Sequence, residues 1–137
     1  MFKIKSEVQF DMAHFLEGYD GKCSNIHGHR YRVVASFAAD NVCPEGVCRG
    51  MVEDFTNVKE ILRRIGEDFD HKLVIEDTEE GRRIKSVLPA HDIVLVPYRP
   101  TAELMAKDIF HRLKSAGCTV CSVEVYETPT NSCEYSE

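Results

Sequence analysis

Phe2-Lys-Ile-Lys-Ser-Glu-Val-Gln-Phe-Asp-Met-Ala-His14 is the stretch that decides the fold. Phe2, Ile4, Val8, Phe10, Met12 and His14 share one parity, with Ser6 the only small polar member. Lys3, Lys5, Glu7, Gln9 and Asp11 share the other. Successive side chains on a strand point to opposite faces, so this alternation predicts a half-buried strand. His14 lies on the apolar face and therefore points inward. It is either a core histidine satisfied by a hydrogen bond or a ligand with partners elsewhere.

Those partners follow a loop over residues 15–26, which carries Gly18, Asp20, Gly21, Ser24 and Asn25. The chain then reads Cys23-Ser-Asn-Ile-His27-Gly-His29. Residues 27–39 form a second strand, with His29, Tyr31, Val33, Ala35 and Phe37 on one side and Arg30, Arg32, Val34 and Ser36 on the other. His27 and His29 are two apart, so on an extended segment both rings reach one point. Gly28 adds no side chain between them. Antiparallel pairing with the first strand brings His14 beside them. Three neutral imidazoles suit Zn²⁺ and leave a tetrahedral ion one open position. Cys23, in the loop, is placed as a fourth ligand or as a nucleophile or base beside the metal.

Further along, Asp54 reads as a helix N-cap. Phe55, Val58, Ile61, Leu62 and Ile65 form an apolar stripe at helical spacing, which Gly66 is expected to close. Asp70-His71 follows. Residues 76–90 are charged and irregular, with room for one short helix, and Asp92 to Tyr98 reads as a short β-branched strand ended by Pro97. Pro100-Thr101-Ala-Glu103 opens a second main helix with Thr101 as cap. Leu104 or Met105, with Ala106, Ile109, Phe110 and Leu113, supplies its buried face, and Gly117 stops it. A hairpin closes the chain: Thr119 to Glu127, a turn at Pro129-Thr130-Asn131, then Ser132 to Ser136. Glu127 is the carboxylate at the end of a largely apolar strand face. Four main strands and two helices make a thin α+β domain whose sheet edges need covering, which oligomerisation does.

The 137 residues fit one domain. Hydrophobic content of 43% and charged content of 29% are those of an ordinary soluble globular protein. A net charge of −6 disfavours a nucleic-acid partner, which asks for a basic face. No apolar run approaches the roughly 20 residues of a membrane span. The alternating N-terminus lacks a signal-peptide core, so the expected compartment is the cytoplasm, with thiols reduced. Six cysteines are many for this length. Cys43 with Cys48, and Cys118 with Cys121, offer a second zinc site or a redox pair. The competing reading is of small buried hydrophobes.

Six motifs in order along the whole chain carry a family resemblance: Phe10-Asp-Met-Ala-His14-Phe-Leu, Cys23-x-x-x-His27-Gly-His29, Met51-Val-Glu-Asp54-Phe55, Asp70-His71, Pro100-Thr101-Ala-Glu103, and Tyr126-Glu127-Thr128 with Tyr135. The sequence resembles the 6-pyruvoyl-tetrahydropterin synthase superfamily, and within it the bacterial 6-carboxy-5,6,7,8-tetrahydropterin synthases of queuosine biosynthesis. The resemblance implies a T-fold (tunnelling fold): an antiparallel four-stranded sheet with two helices on one face. Subunits of such folds join edge to edge into barrels, usually homohexamers built as dimers of trimers, with active sites at the interfaces.

By the same resemblance His14, His27 and His29 are the zinc ligands, and Cys23, Asp70 and His71 are the catalytic set, meeting across an interface. Glu127 is the pterin anchor, assisted by Thr101. A carboxylate accepts both adjacent N–H donors of the pterin's amino-pyrimidinone edge. The implied reaction takes 7,8-dihydroneopterin triphosphate to 6-carboxy-5,6,7,8-tetrahydropterin, acetaldehyde and triphosphate, with no external redox cofactor. Two alternatives stay open: a pyruvoyl-forming synthase that retains the side chain, and a zinc- and pterin-binding protein without turnover. Lys22, Arg30, Arg32 and Arg49 are candidates for binding the triphosphate. Phe69, where the family often has Leu before Asp-His, changes volume only.

Overall fold

Strand β1 (Phe2–His14) and strand β2 (His27–Ala39) pair antiparallel along their full lengths, with Phe2 opposite Ala39 and His14 opposite His27. The pairing follows from the alternation. Phe10, Met12, Tyr31, Val33, Ala35 and Phe37 are all buried on one face, and a slip of one residue would turn that whole set outward. The computed structural model describes residues 1–88 and 93–137.

The remaining elements are α1 (Phe55–Phe69), β3 (Lys72–Glu76), α2 (Glu79–Val87), β4 (Ile93–Val96), α3 (Ala102–Ser115), β5 (Val120–Thr128) and β6 (Asn131–Ser136). The sheet order is β4-β3-β1-β2-β5-β6. Its centre is antiparallel, but β3 runs parallel to β1, and β4 parallel to β3. The expected four-stranded sheet is thus six-stranded among the described residues. β3 escaped notice because Lys72-Leu-Val-Ile-Glu76 is too short to show alternation. The expected strand from Asp92 to Tyr98 is observed as β4 over Ile93–Val96; Asp92 lies outside the described residues, as does the end of the irregular stretch expected over 76–90. Within that stretch α2 is the short helix, capped by the Thr78 side chain, which accepts from Gly81 N.

Asp54 caps α1 as expected, accepting from Thr56 N at 2.8 Å. Gly66 does not close the helix. It is buried inside the last turn, where a methyl group would sit 3.0 Å from Val8 Cγ2, so its small size lets α1 lie close on β1. The helix runs one turn further and buries Phe69 against Phe10, ring centroids 5.6 Å apart. Phe69→Ala is expected to cost about 3–5 kcal/mol, the range for emptying a fully buried aromatic site. Phe55→Ala, half exposed at the other end of the stripe, should cost under about 1 kcal/mol. Urea unfolding of the two variants checks the contrast.

Helix α3 lies over β5 and β6 and buries Met105, Ala106, Ile109, Phe110 and Leu113, leaving Leu104 outside. Both long helices therefore share one face of the sheet. The other face carries ion pairs such as Arg30–Asp11 and Arg32–Glu7. At one end of this frame β1 finishes, β2 begins and α3 starts.

Candidate active site

His14 ends β1 and His27 begins β2, directly opposite one another. His29 faces Met12 two residues on. One candidate ligand atom from each of the three rings lies within 4.8 Å of the other two. Between the two β2 histidines, a Cβ on residue 28 would stand 3.1 Å from the Met12 carbonyl oxygen. Gly28 is what lets the strands close at this end.

The rings are oriented from behind. His14 Nδ1 donates to the Pro100 carbonyl at 2.7 Å, and His27 Nδ1 donates to the Asn25 carbonyl at 2.7 Å. Each of these two imidazoles then keeps its Nε2 lone pair for the cluster. His29 Nε2 is buried and has no hydrogen-bond partner. A buried polar atom without a partner is costly, and an ion among three imidazole nitrogens removes that cost. The donor set fits a divalent metal with three protein ligands and an open position.

Burial, with the neighbouring His27 and His29, lowers the pKa of His14 from 6.5 overall, against the raising effects of its bond to Pro100 and the charge of Glu127. The unfolded chain therefore takes up this proton at higher pH than the folded chain. The metal-free protein keeps its full stability at this group above pH 6.5 and loses it as pH falls through 6.5 toward the depressed folded value. Denaturation midpoints of metal-free protein between pH 8 and pH 5 should fall on the acid side. A midpoint that held steady across this window would contradict a neutral, buried His14.

Glu127, on β5, closes the cluster's other side. Its Oε1 lies 3.4 Å from His14 Nε2, 3.8 Å from His29 Nε2 and 3.4 Å from the Tyr31 hydroxyl. It also borders a cavity of about 280 Å³ with Thr101, Glu103, Leu16 and Cys133. Thr101 has a second duty there, capping α3 through Leu104 N at 3.4 Å. The Pro100-Thr-Ala-Glu103 motif thus orients His14, starts α3 and supplies three cavity residues, Thr101, Ala102 and Glu103. Sequence reasoning gave Glu103 and Tyr31 no role. Glu103 stands two residues from Thr101 in the same Pro-Thr-Ala-Glu motif, and Tyr31 shares the parity of His27 and His29; those are the available signals.

Asp70 and His71 follow α1 and reach a different wall. Asp70 Oδ2 accepts from His71 Nδ1 at 2.9 Å, and Oδ1 accepts from Asp11 N at 3.0 Å. His71 N donates to the Asp11 carbonyl at 2.7 Å. These bonds hold His71 at φ 57°, a left-handed conformation that a non-glycine residue rarely adopts. Desolvation opposes ionisation of Asp70, but the bonds from His71 and Asp11 and the charge of Arg30 lower its pKa overall. The His71 ring is 77% exposed and borders an open cavity with His29, Arg30 and Lys72. Cys23 sits in a short 3₁₀ turn (Lys22–Ser24) whose carbonyl accepts from Leu16 N at 2.8 Å. No hydrogen bond joins Cys23 to Asp70 or His71 among the described residues.

Among the described residues the three histidines are the only group of three or more metal-capable side chains within such reach, and Cys43, Cys48, Cys118 and Cys121 are in no such group. All six cysteines are free, and burial pushes the Cys118 thiol up. No helix among the described residues is long and apolar enough to cross a membrane.

A curled sheet with two helices on one face and histidines at the strand ends is a T-fold. A Wolinella succinogenes protein of uncharacterised function superimposes with a TM-score of 0.76 at 23% identity, over 99% of this chain and 98% of its own. The Caenorhabditis elegans 6-pyruvoyl tetrahydropterin synthase gives 0.71 at 23% identity, over 99% and 95%. The sequence model of the 6-pyruvoyl tetrahydropterin synthase family matches residues 3–137, and the chain belongs to that family. A Haemophilus influenzae 6-carboxy-5,6,7,8-tetrahydropterin synthase is 40% identical over 142 residues, covering all of both chains. A Rickettsia bellii protein of the same name is 33% identical, covering 94% of this chain and 96% of its own.

Proposed function

We propose that the protein is a zinc-dependent lyase that converts 7,8-dihydroneopterin triphosphate to 6-carboxy-5,6,7,8-tetrahydropterin, acetaldehyde and triphosphate, serving queuosine biosynthesis. The observation that carries the reading is the convergence of His14, His27 and His29 beside Glu127, in a chain 40% identical to a full-length relative of that name. When bound, zinc would polarise the hydroxyls of the substrate side chain and lower their pKa.

The remaining work falls to the chain's own residues. Cys23 moves a proton at the substrate side chain. His71, oriented by its bond to Asp70, is the second proton-transfer group. Asp70 and His71 serve the Cys23 of a neighbouring copy; their exposure, and the lack of a hydrogen bond from either to Cys23 among the described residues, support this. Among the described residues strands β4 and β6 end the sheet, and edge strands can pair between copies, which supports a homohexamer of two trimers.

The pterin lies in the cavity bordered by Thr101 and Glu127, its ring N–H and adjacent amino group donating to a carboxylate. Glu127 is the proposed anchor. Glu103 is the second reading, favoured by one observation: Glu127 Oε1 already lies against His14 and Tyr31, while Glu103 borders the same cavity. Glu127→Gln and Glu103→Gln separate the two. The anchor's variant should raise KM about tenfold or more, as expected for a lost bond to a charged group.

Product analysis by mass spectrometry tests the function. Zinc-loaded, reduced protein is incubated anaerobically with 7,8-dihydroneopterin triphosphate. Acetaldehyde and 6-carboxytetrahydropterin are expected. Triphosphate release with the side chain retained would assign the pyruvoyl branch instead, and unchanged substrate would overturn the enzymatic reading.

A further inference from the structure

Tyr31 is fully buried on β2, opposite Phe10. Its ring stacks on Phe10 at 5.8 Å and stands edge-on to His14 at 5.9 Å and to His29 at 5.7 Å. Those contacts hold the ring and make no use of its hydroxyl. The hydroxyl lies 3.2 Å from His14 Nε2, 3.3 Å from His14 Nδ1 and 3.4 Å from Glu127 Oε1.

A buried phenol needs an acceptor. His14 is a poor one. Its Nδ1 hydrogen goes to the Pro100 carbonyl, and near-equal reach to both ring nitrogens puts the hydroxyl off the line of either lone pair. Its Nε2 also faces the histidine cluster, where a metal would take it up. The acceptor that remains is Glu127 Oε1, and a carboxylate is the stronger acceptor in any case.

We propose that Tyr31 is a positioning residue for the pterin reaction: its hydroxyl donates to Glu127 and holds that carboxylate at the mouth of the histidine cluster, ready for substrate. The inference rests on the pterin-binding role of this site. Glu127 has a flexible side chain that is 31% exposed, and without a fixed donor its ordering would fall on substrate binding. With the donor on a ring locked between Phe10 and two imidazoles, the carboxylate is ordered beforehand. Tyr31 acts through Glu127, not on the reacting atoms.

Tyr31→Phe keeps the ring and removes only the hydroxyl. Three readouts apply to the zinc-loaded protein: KM and kcat with 7,8-dihydroneopterin triphosphate, neopterin affinity by fluorescence titration, and bound zinc. KM should rise, and neopterin affinity fall, by about tenfold. kcat should change far less, with zinc stoichiometry and melting temperature held. In a Glu127→Ala background the same change should alter neopterin affinity by less than about twofold, because its target is gone. Equal effects of Tyr31→Phe in both backgrounds would overturn the inference, as would an unchanged KM or a loss confined to zinc content. A wild-type protein that neither turns over the substrate nor binds neopterin would instead overturn the functional reading itself.

Discussion

Cys23→Ala should lower turnover of 7,8-dihydroneopterin triphosphate by about 10³-fold or more, the scale on which removing a proton-transfer or nucleophilic side chain acts. Zinc content and melting temperature should not change. Cys23 sits in a surface turn, held through its main-chain carbonyl rather than its thiol. It belongs to neither buried core cluster, so truncation leaves no cavity to collapse. The contrast between lost rate and retained fold separates a chemical thiol from a packing one. Iodoacetamide on the wild type should give the same loss. The other five cysteines supply the control: Cys118→Ala, at a buried site, should cost stability and leave kcat near wild type. Full activity in Cys23→Ala would remove the thiol from the mechanism.

His29→Ala is expected to release the metal and abolish activity together. His29 is the histidine of the cluster whose Nε2 has no hydrogen-bond partner, with Glu127 Oε1 the nearest charged group at 3.8 Å, so it has the least other business in the fold. Its loss should weaken zinc binding by more than the roughly 10–100-fold that follows from losing a residue behind a ligand. Isothermal titration with zinc measures this directly, and excess zinc should restore little of the rate. Stability of the metal-free variant should be equal to or above that of the metal-free wild type, because a buried unpaired nitrogen has gone. Wild-type protein should melt at higher temperature with zinc than after chelation, by linkage between binding and folding, and His29→Ala should lose that difference. A variant that bound zinc as tightly as wild type would break the three-histidine assignment.

What the sequence determined by itself is the local part of this protein. Alternation in Phe2–His14 and over residues 27–33 specified two strands and the face each histidine shares, whereas further along β2 Val34 and Ser36 are buried on the opposite face as well. The caps at Asp54 and Thr101, the apolar stripes of α1 and α3, and the closing hairpin follow from the same kind of local chemistry. The three converging histidines were legible because they lie on regular strands. The tertiary structure decided everything that depends on distant neighbours. It made Gly66 an interior helix residue, since the close approach of α1 to Val8 favours a residue without a side chain. It added β3, which is too short to declare itself and exists because β1 offers a parallel edge. It bonded Asp70 and His71 to each other and to Asp11, with no hydrogen bond to the Cys23 of the same chain among the described residues. It also brought Tyr31 and Glu127, 96 residues apart, to the mouth of the histidine cluster, because the lateral order of strands in a sheet is set by packing and not by alternation within any one of them.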